Sequence, residues 1–198
     1  MKSALADFIG HLNLVIGHGF PYPVPTRSCT EYMMDAKFTV GVLTVSDKGA
    51  QGLRVDESGP VAVELLETQG FSVVRTAVVP DDRRRIAETL KEWADRDCLS
   101  LIVTSGGTGL SPTDVTPQAM ADVIDFSVPG MAEAMRAASL EKTPHAMISR
   151  AMAGVRNRCL IINLPGSPGG VRDNLSVVLP ALRHALSKLG GDTKDCAP

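Results

Sequence analysis

The sequence has no large excess of charge of either sign. Its 198 residues carry 20 Lys and Arg against 22 Asp and Glu, which leaves a formal net charge of −2 at pH 7. A broad basic surface for nucleic acid or for an anionic membrane is therefore not expected, and neither partner is predicted. Any recognition of phosphate has to come from a local arrangement of residues.

The cysteines lack a pattern. Cys29, Cys98, Cys159 and Cys196 are widely separated, with no C-x-x-C pair and no spacing typical of a metal site. This distribution favours reduced thiols and a cytoplasmic location over a disulfide framework. We expect Cys98 and Cys159 to be buried for structural reasons.

Other signatures are missing as well. The apolar stretch at residues 1–20 is too short and too often interrupted by polar residues to span a bilayer, and it lacks the features of a signal peptide. No G-x-G-x-x-G turn follows the first strand pattern, no G-x-S-x-G motif occurs, and the histidines show no metal-ligand spacing. These absences argue against a dinucleotide-dependent oxidoreductase and a serine hydrolase.

The chain does have enough apolar material for one substantial core. Hydrophobic residues make up 44% of the chain, and its length is typical of a single domain. We predict an N-terminal extension over residues 1–36, in which PYPVPTR (21–27) is typical of an extended linker, and one domain over residues 37–195. No role is predicted for the extension.

Strand and helix patterns alternate from Phe38 onward. Apolar, β-branched runs at 38–46, 71–79, 99–105 and 159–164 are typical of strands that are buried on both faces. Helical patterns between and after them begin at Pro60, near Asp81 or Asp82, and at Pro117, and a last long helix ends at residues 190–191. We predict a three-layer α/β/α fold with a mostly parallel central sheet.

Ligands of such folds bind beyond the carboxyl ends of the strands, where the strand order reverses. Three loops lie at these ends, over residues 46–59, 106–116 and 165–170. In the second loop, glycines directly follow a buried strand and allow main-chain N–H groups to approach an anion, and Thr108 can add a hydroxyl donor. A glycine-rich turn alone is weak evidence, because many such loops only reverse the chain.

Two acidic residues make this edge of the sheet more specific. Asp114 and Asp56 each precede a helix start, and a carboxylate there would repel a phosphate unless a cation lay between them. Two carboxylates on neighbouring loops suit a Mg²⁺ ion that bridges phosphates, with water completing its octahedral shell. The alternative is that each carboxylate caps its helix.

Four segments of the chain are distinctive together: GVLTVSDKGAQGLRVDESG (41–59), TSGGTGLSPTDVTPQA (104–119), TPHAMISRAMAGVR (143–156) and LIINLPGSPGGV (160–171). They resemble the molybdopterin adenylyltransferases of the MogA type, which include the plant Cnx G domain and the gephyrin G domain. The similarity extends from about Phe38 to about Asp195. The similarity is specific for the superfamily. It is less specific for the MogA subgroup, because proteins of the MoaB type share the fold and the glycine-rich motif.

The resemblance implies a reaction and its partners. Proteins of this family bind molybdopterin and MgATP, join AMP to the terminal phosphate of the pterin, release pyrophosphate and so prepare the cofactor for molybdate insertion. They are typically homotrimers, and a separate molybdate insertase is a possible partner. The pterin phosphate is already an anionic nucleophile, so alignment and charge neutralisation matter more than a general base.

The resemblance also implies roles for residues at matching positions. Asp56 and Asp114 match the magnesium-dependent catalytic acids. The residues that match the phosphate cradle of the family are Ser105, Gly106, Gly107, Thr108 and Gly109. Those that match its nucleotide side are Thr44, Ser46 and Asp47, with Ser58 and Gly59 beside Asp56. Those that match its pterin pocket are Asn163, Pro165, Gly166, Ser167 and Pro168, with Ser149 in a further matching segment.

The chain departs from the family pattern at Thr113, where a basic residue is common. Arg54 or Arg150 could supply the missing charge from another loop. Two rival functions also fit the motifs: a MoaB-like protein, and a non-catalytic pterin-binding or scaffolding protein. The intact Asp56 and Asp114 argue against a purely structural role, since a scaffold has no need of carboxylates facing phosphates.

Overall fold

The computed structural model describes residues 38–193. The extension assigned to residues 1–36 lies outside the described residues, as do residue 37 and residues 194–198. In the described part, no helix combines the length and the apolar character needed to cross a membrane.

A single sheet forms the centre of the described fold. Its strands β2, β1, β3 and β6 are parallel, and β5 and β4 extend it in antiparallel fashion, in the order β2-β1-β3-β6-β5-β4. The mostly parallel sheet and its four predicted strands are confirmed, whereas β4 and β5 are too short to show a periodic pattern in the sequence. The strands are β1 (Thr39–Val45), β2 (Ser72–Val79), β3 (Leu101–Ser105), β4 (Phe126–Ser127), β5 (Ala153–Arg156) and β6 (Cys159–Leu164).

The helices follow the predicted starts closely. Helix α2 begins two residues before Pro60, Asp82 caps α3 by accepting a hydrogen bond from the Arg85 N–H, and Pro117 lies in the first turn of α4. Helix α5 was not predicted. The helices are α1 (Asp47–Ala50), α2 (Ser58–Thr68), α3 (Arg83–Lys91), α4 (Thr116–Ala121), α5 (Pro129–Leu140) and α6 (Pro168–Leu189), with a π-helical turn at Glu92–Arg96 and a 3₁₀ turn at Pro144–Ile148.

Both faces of the sheet are covered by helices. Side chains alternate between the faces along each strand, so Val42 and Val103 pack with α2, α5 and α6 on one side. Leu43 and Ile102 pack with α3 and α4 on the other side. The three-layer α/β/α architecture is therefore confirmed, with one buried apolar cluster between the sheet and the helices on each face.

The two described cysteines differ. Cys159 is free and buried in β6, as expected, and desolvation raises the pKa of its thiol. Cys98 is half-buried and disulfide-bonded, so the expectation of a buried, reduced thiol is wrong at this position. It follows the π-helical turn ahead of β3 and belongs to neither apolar cluster.

The strand order indicates where along the sheet a ligand crevice is expected. The chain runs from β1 to β2 on one side and then returns to β3 on the other side of β1, so the strand order reverses between β1 and β3. Thr44 and Ser105, near the ends of these strands, are neighbours in the parallel register. Their following loops diverge, and a crevice opens between them.

Candidate active site

A cavity of about 210 Å³ lies at the carboxyl ends of β1 and β3. All three loops selected from the sequence contribute to it, and Asp56 and Asp114 line the same space. The wall consists of Thr44, Val45, Ser46, Gly49, Arg54, Val55, Asp56, Glu57, Ser58, Asp81, Ser105, Gly106, Gly107, Asp114, Gly166 and Pro168.

The turn after β3 requires glycine. Gly106 and Gly107 have φ angles of 105° and 61°, which side chains rarely adopt. A Cβ atom on Gly106 would lie 2.3 Å from the Val45 carbonyl oxygen, and one on Gly107 would lie 2.2 Å from Thr116 Oγ1. The main chain of this turn therefore packs directly against the end of β1 and the start of α4, as the positive φ expected from the sequence allows.

Asn163 supports the turn from beneath. It is fully buried in β6, and its Nδ2 donates hydrogen bonds to Thr104 Oγ1 at 2.9 Å and to the Gly106 carbonyl oxygen at 3.3 Å. Asn163 lines neither this cavity nor the neighbouring one, so its contacts are with the turn.

Asp56 makes the contacts of a helix cap. Its Oδ1 accepts hydrogen bonds from the N–H groups of Ser58 and Gly59, both at 3.0 Å, and from Ser58 Oγ at 2.9 Å. Its Oδ2 accepts a hydrogen bond from Thr44 Oγ1 at 2.7 Å. These four donors occupy most of the accepting capacity of the carboxylate, so the capping alternative describes the contacts of Asp56. Thr44, Ser58 and Gly59, predicted to bind substrate, are the residues that hold it.

Asp114 is not a helix cap. Its Oδ2 accepts a hydrogen bond from the Ser111 N–H at 2.8 Å, within a turn that the Asp114 N–H closes by donating to the Ser111 carbonyl oxygen. Helix α4 has Val115 at its N-cap and no side-chain cap. Asp114 is half-buried and lines the cavity.

Asp81 is a third aspartate in the wall of this cavity, and it is not among the site residues expected from the sequence. Its Oδ2 accepts a hydrogen bond from the Asp47 N–H at 2.9 Å, and its own N–H donates to Asp47 Oδ1 at 3.0 Å. Desolvation raises the pKa of Asp81 most, the bond from Asp47 opposes this, and the charges of Asp47 and Asp114 raise the pKa further. Asp47 itself lies behind Asp81 and does not line the cavity.

A signal for Asp81 was present in the sequence. It follows β2, whose carboxyl end lies on the same edge as those of β1 and β3. The rule that selects the other loops applies to this one as well, but an acidic residue ahead of a helix also has the pattern of a helix cap. Its neighbour Asp82 is the cap.

The donors in the cavity suit Mg²⁺. They are carboxylates and hydroxyls, the hard oxygen ligands that this ion prefers, and the buried Thr116 Oγ1 beside Gly107 has no hydrogen-bond partner among residues 38–193. The same residues contain no group of three or more His, Cys, Asp or Glu side chains able to hold a metal ion. Mg²⁺ is commonly held by one or two carboxylates together with substrate phosphates and water, and the residues fit that arrangement.

A second cavity of about 490 Å³ lies on the other side of the glycine turn. Thr108, Gly109, Ser149, Pro165 and Ser167 line it, whereas Gly166 and Pro168 line the first cavity. The residues predicted to bind phosphate and pterin are therefore divided between two adjoining cavities.

The second cavity is rich in basic side chains. Arg136, Lys142 and His145 line it, and Lys142 Nζ contacts Asp173 Oδ1 at 2.6 Å. The first turn of α6 also belongs to its wall, with the Ser167 hydroxyl accepting a hydrogen bond from the Gly170 N–H. Asp173 lines the cavity as well, so the groups on this side that suit an anionic ligand are Arg136 and the N–H groups of the helix turn. Arg136 and Lys142 are not among the residues expected from the sequence, because Arg136 lies on α5, which the sequence patterns do not predict, and Lys142 lies just beyond the end of that helix.

The missing basic residue at position 113 has a candidate substitute. Thr113 is exposed and shares a hydrogen bond with Ser111 Oγ at 3.0 Å. The Arg150 guanidinium lines neither cavity and donates instead to the carbonyl oxygens of Gly109 and Asp114. Arg54 lines the first cavity, so of the two arginines it is the one that brings a positive charge to this cavity.

Comparison with known proteins identifies close relatives. A family described as probable molybdopterin binding domain matches residues 41–184. A molybdopterin adenylyltransferase of Helicobacter pylori is 37% identical over 155 residues, which cover 77% of this chain and 88% of that protein. Gephyrin of Dictyostelium discoideum is 40% identical over 174 residues, or 83% of this chain, but the match covers only 24% of gephyrin. The chain thus spans about a quarter of the length of gephyrin.

Solved structures are similar over the same region. MoaB from Thermus thermophilus is 52% identical with a TM-score of 0.75, covering 78% of this chain and 98% of MoaB. The Mog protein from Mycobacterium ulcerans is 44% identical with a TM-score of 0.73, covering 77% of this chain and 99% of that protein.

Proposed function

Because the chain belongs to the family described as probable molybdopterin binding domain, we propose that it is a molybdopterin adenylyltransferase of molybdenum cofactor biosynthesis. It transfers AMP from ATP to the terminal phosphate of molybdopterin and releases pyrophosphate. The observation that carries the proposal is the pair of adjoining cavities on either side of one glycine turn, the first lined by three aspartates and the second by basic side chains. Relatives named as adenylyltransferases support it.

The two cavities suit the two substrates. The triphosphate of ATP lies in the first cavity, where Arg54 and the hydroxyls of Ser46 and Ser58 are close to it. Molybdopterin lies in the second cavity, where Arg136 and Lys142 meet its phosphate. The turn at Gly106 to Gly109 contributes to the walls of both cavities, so the reacting groups of the two substrates lie within reach of each other beside it.

The reaction needs placement more than proton transfer. A terminal oxygen of the pterin phosphate attacks the α-phosphorus of ATP, the bond from that phosphorus to the oxygen of the β-phosphate breaks, and pyrophosphate leaves. The nucleophile is already an anion, so no side chain has to remove a proton. The barrier comes from aligning two highly charged groups, and fixed charges at the site lower it.

Asp81 and Asp114 are the residues that would hold Mg²⁺, which supplies positive charge to the phosphates when bound. Asp47 fixes Asp81 through their reciprocal main-chain hydrogen bonds. Asp56 holds the first turn of α2 and orients the Thr44 and Ser58 hydroxyls toward the cavity. Metal ligation by Asp56 would use its Oδ2, which accepts one hydrogen bond.

Other features implied by the resemblance stay predictions. They are a homotrimer, a separate molybdate-insertase partner and a role for residues 1–36. A cytoplasmic location, inferred from the spacing of the cysteines, stays a prediction as well. Molar mass in solution tests the first, and co-purification with an insertase tests the second.

Pyrophosphate release from MgATP, measured with and without molybdopterin, tests the proposal. Release that depends on the pterin is the expected result. Tight pterin binding without release would favour the non-catalytic pterin-binding or scaffolding protein, or a MoaB-like protein with a different reaction. The MoaB-like alternative draws on the 52% identity to MoaB from Thermus thermophilus.

A further inference from the structure

Arg150 holds the loop that carries Asp114. Its main-chain N–H donates to the Thr108 carbonyl oxygen at 2.9 Å, its Nε donates to the Gly109 carbonyl oxygen at 2.8 Å, and a terminal guanidinium nitrogen donates to the Asp114 carbonyl oxygen. Within the part of the chain that the structure describes, these three bonds are the ones that join residues 107–114 to another segment. The loop otherwise bonds to itself.

The position of Arg150 joins the two cavities. The preceding residue, Ser149, lines the second cavity, together with Thr108 and Gly109. Asp114, at the far end of the same loop, lines the first cavity. One side chain is thus bonded to both ends of a loop whose beginning faces one ligand and whose end faces the other.

We propose that Arg150 is a positioning residue for adenylyl transfer, which sets the place of Asp114 relative to the glycine turn. The inference rests on the proposed function. The planar guanidinium binds two carbonyl oxygens at once, and this fixes their separation in a way that a single ammonium does not. Arg150 itself touches neither substrate, because its donors face the loop.

The first experiment compares Arg150→Ala and Arg150→Lys with the unaltered protein. We expect Arg150→Ala to lower kcat for pyrophosphate release by about 10- to 100-fold and to change the molybdopterin KM by less than about threefold. Arg150→Lys keeps the positive charge on a single ammonium but loses the planar fork, so its kcat should lie between the two. The matched control is Arg183→Ala, because Arg183 also donates to a main-chain carbonyl, that of Gln69, but far from both cavities.

A double-mutant cycle then separates positioning from general stabilisation. If Arg150 acts through Asp114, then Arg150→Ala should change kcat by less than about twofold in an Asp114→Ala background. Multiplication of the two losses would overturn the proposal. An unchanged kcat in Arg150→Ala alone would overturn it as well.

A crystal structure of the Arg150→Ala variant gives a readout that does not depend on activity. We expect residues 107–114 to move and the Asp114 carboxylate to leave the wall of the first cavity; superposition of this loop on that of the unaltered protein would contradict the proposal. Should Arg150→Ala fail to crystallise, the same comparison applies to Arg150→Lys. Absence of pyrophosphate release in the unaltered protein would instead refute the proposed function, while the loop comparison would still decide the role of Arg150.

Discussion

The two ends of the central strands arrange their charges differently. At the carboxyl ends, Asp81 lies close to Asp47 and Asp114, and among residues 38–193 no basic side chain forms an ion pair with these three. At the amino end of β6, Asp95 accepts hydrogen bonds from the guanidinium of Arg156 and from the amide of Asn157. Like charges are thus crowded at one end, and opposite charges are paired at the other.

The difference distinguishes the candidate active site, at the carboxyl ends of the strands, from a structural region at the amino end of β6. Burial, together with the charges of Asp47 and Asp114, destabilises the charged form of Asp81 and so raises its pKa. Pairing with Asp95 raises the pKa of the Arg156 guanidinium. The same guanidinium donates to the Val123 carbonyl oxygen, so it joins the end of β5 to the segment after α4 and to the π-helical turn. Changes at the carboxyl ends should therefore affect activity, and changes at the amino end should affect stability.

Removal of the Asp114 carboxylate should give the largest effect. We expect Asp114→Ala to lower kcat for pyrophosphate release by roughly 100- to 1000-fold, because one of the two carboxylates that would hold Mg²⁺ at the reacting phosphates is lost, while molybdopterin affinity changes by less than about threefold. Steady-state kinetics and pterin binding by calorimetry test this. Asp122→Ala is the control, since Asp122 pairs with Arg83 on the surface. Turnover near that of the unaltered protein at saturating Mg²⁺ would refute the role.

Neutralisation of Asp81 should lower activity without a matching loss of stability. Asp81→Asn keeps an oxygen that can accept the hydrogen bond from Asp47 but removes the crowded charge. We expect kcat to fall by about 10- to 100-fold. Loss of stability in step with activity would show that Asp81 is a structural residue.

The pH dependence of stability gives the sign of the Asp81 effect. Because its pKa is raised in the folded protein, the unaltered protein should match Asp81→Asn in stability below the ordinary carboxyl pKa of about 4 and lose stability relative to it as pH rises through the raised pKa. Urea unfolding of both proteins in the absence of Mg²⁺, from acidic to neutral pH, measures the difference. An Asp81→Asn variant that is less stable at neutral pH would contradict the expected sign.

A smaller effect should follow from crowding Asp114 without removing it. A Cβ atom on Gly109 would lie 2.8 Å from Asp114 Oδ2, so Gly109→Ala should displace the carboxylate and lower kcat by about tenfold. Gly130→Ala is a matched control, because a Cβ atom there meets nothing within 4 Å. Equal kcat values for the two variants would show that the position of Asp114 is not critical.

The smallest effect on activity should come from the paired end. Arg156→Gln removes bonds to Asp95 and to the Val123 carbonyl oxygen at a side chain that is 22% exposed. We expect the free energy of unfolding to fall by about 1–2 kcal/mol and kcat at a temperature well below Tm to change by less than about twofold. Denaturant unfolding and kinetics on the same preparation test both halves. A large loss of kcat would break the contrast between the two ends.

Much of the fold was readable in the sequence because it depends on local patterns. The runs that became β1, β2, β3 and β6 have the composition of buried parallel strands, and Pro117 marks a helix start by its fixed φ angle. Strands β4 and β5 were missed, since two and four residues are too few to show alternation. Helix α5 was overlooked, although Pro129 lies in its first turn.

The site was readable in part. Asp114 and the glycine turn were found because a loop after a buried strand concentrates glycine, hydroxyl and acidic residues. For Asp56, capping and metal ligation look the same in sequence, since both place an acidic residue ahead of a helix. The structure adds that Asp56 accepts hydrogen bonds from Ser58, Gly59 and Thr44, which the sequence does not show.

The sequence by itself determined which segments form the four parallel strands, the need for glycine at positions 106 and 107, and the loop that carries Asp114. These features follow from side-chain periodicity and backbone sterics, which act between near neighbours in the chain. Tertiary structure decided that Asp81 joins Asp114, that Arg136 and Lys142 line a second cavity, and that Arg150 bonds to the loop between the cavities. Such contacts depend on how the strand order and the helix packing bring distant segments together, and no local pattern records that.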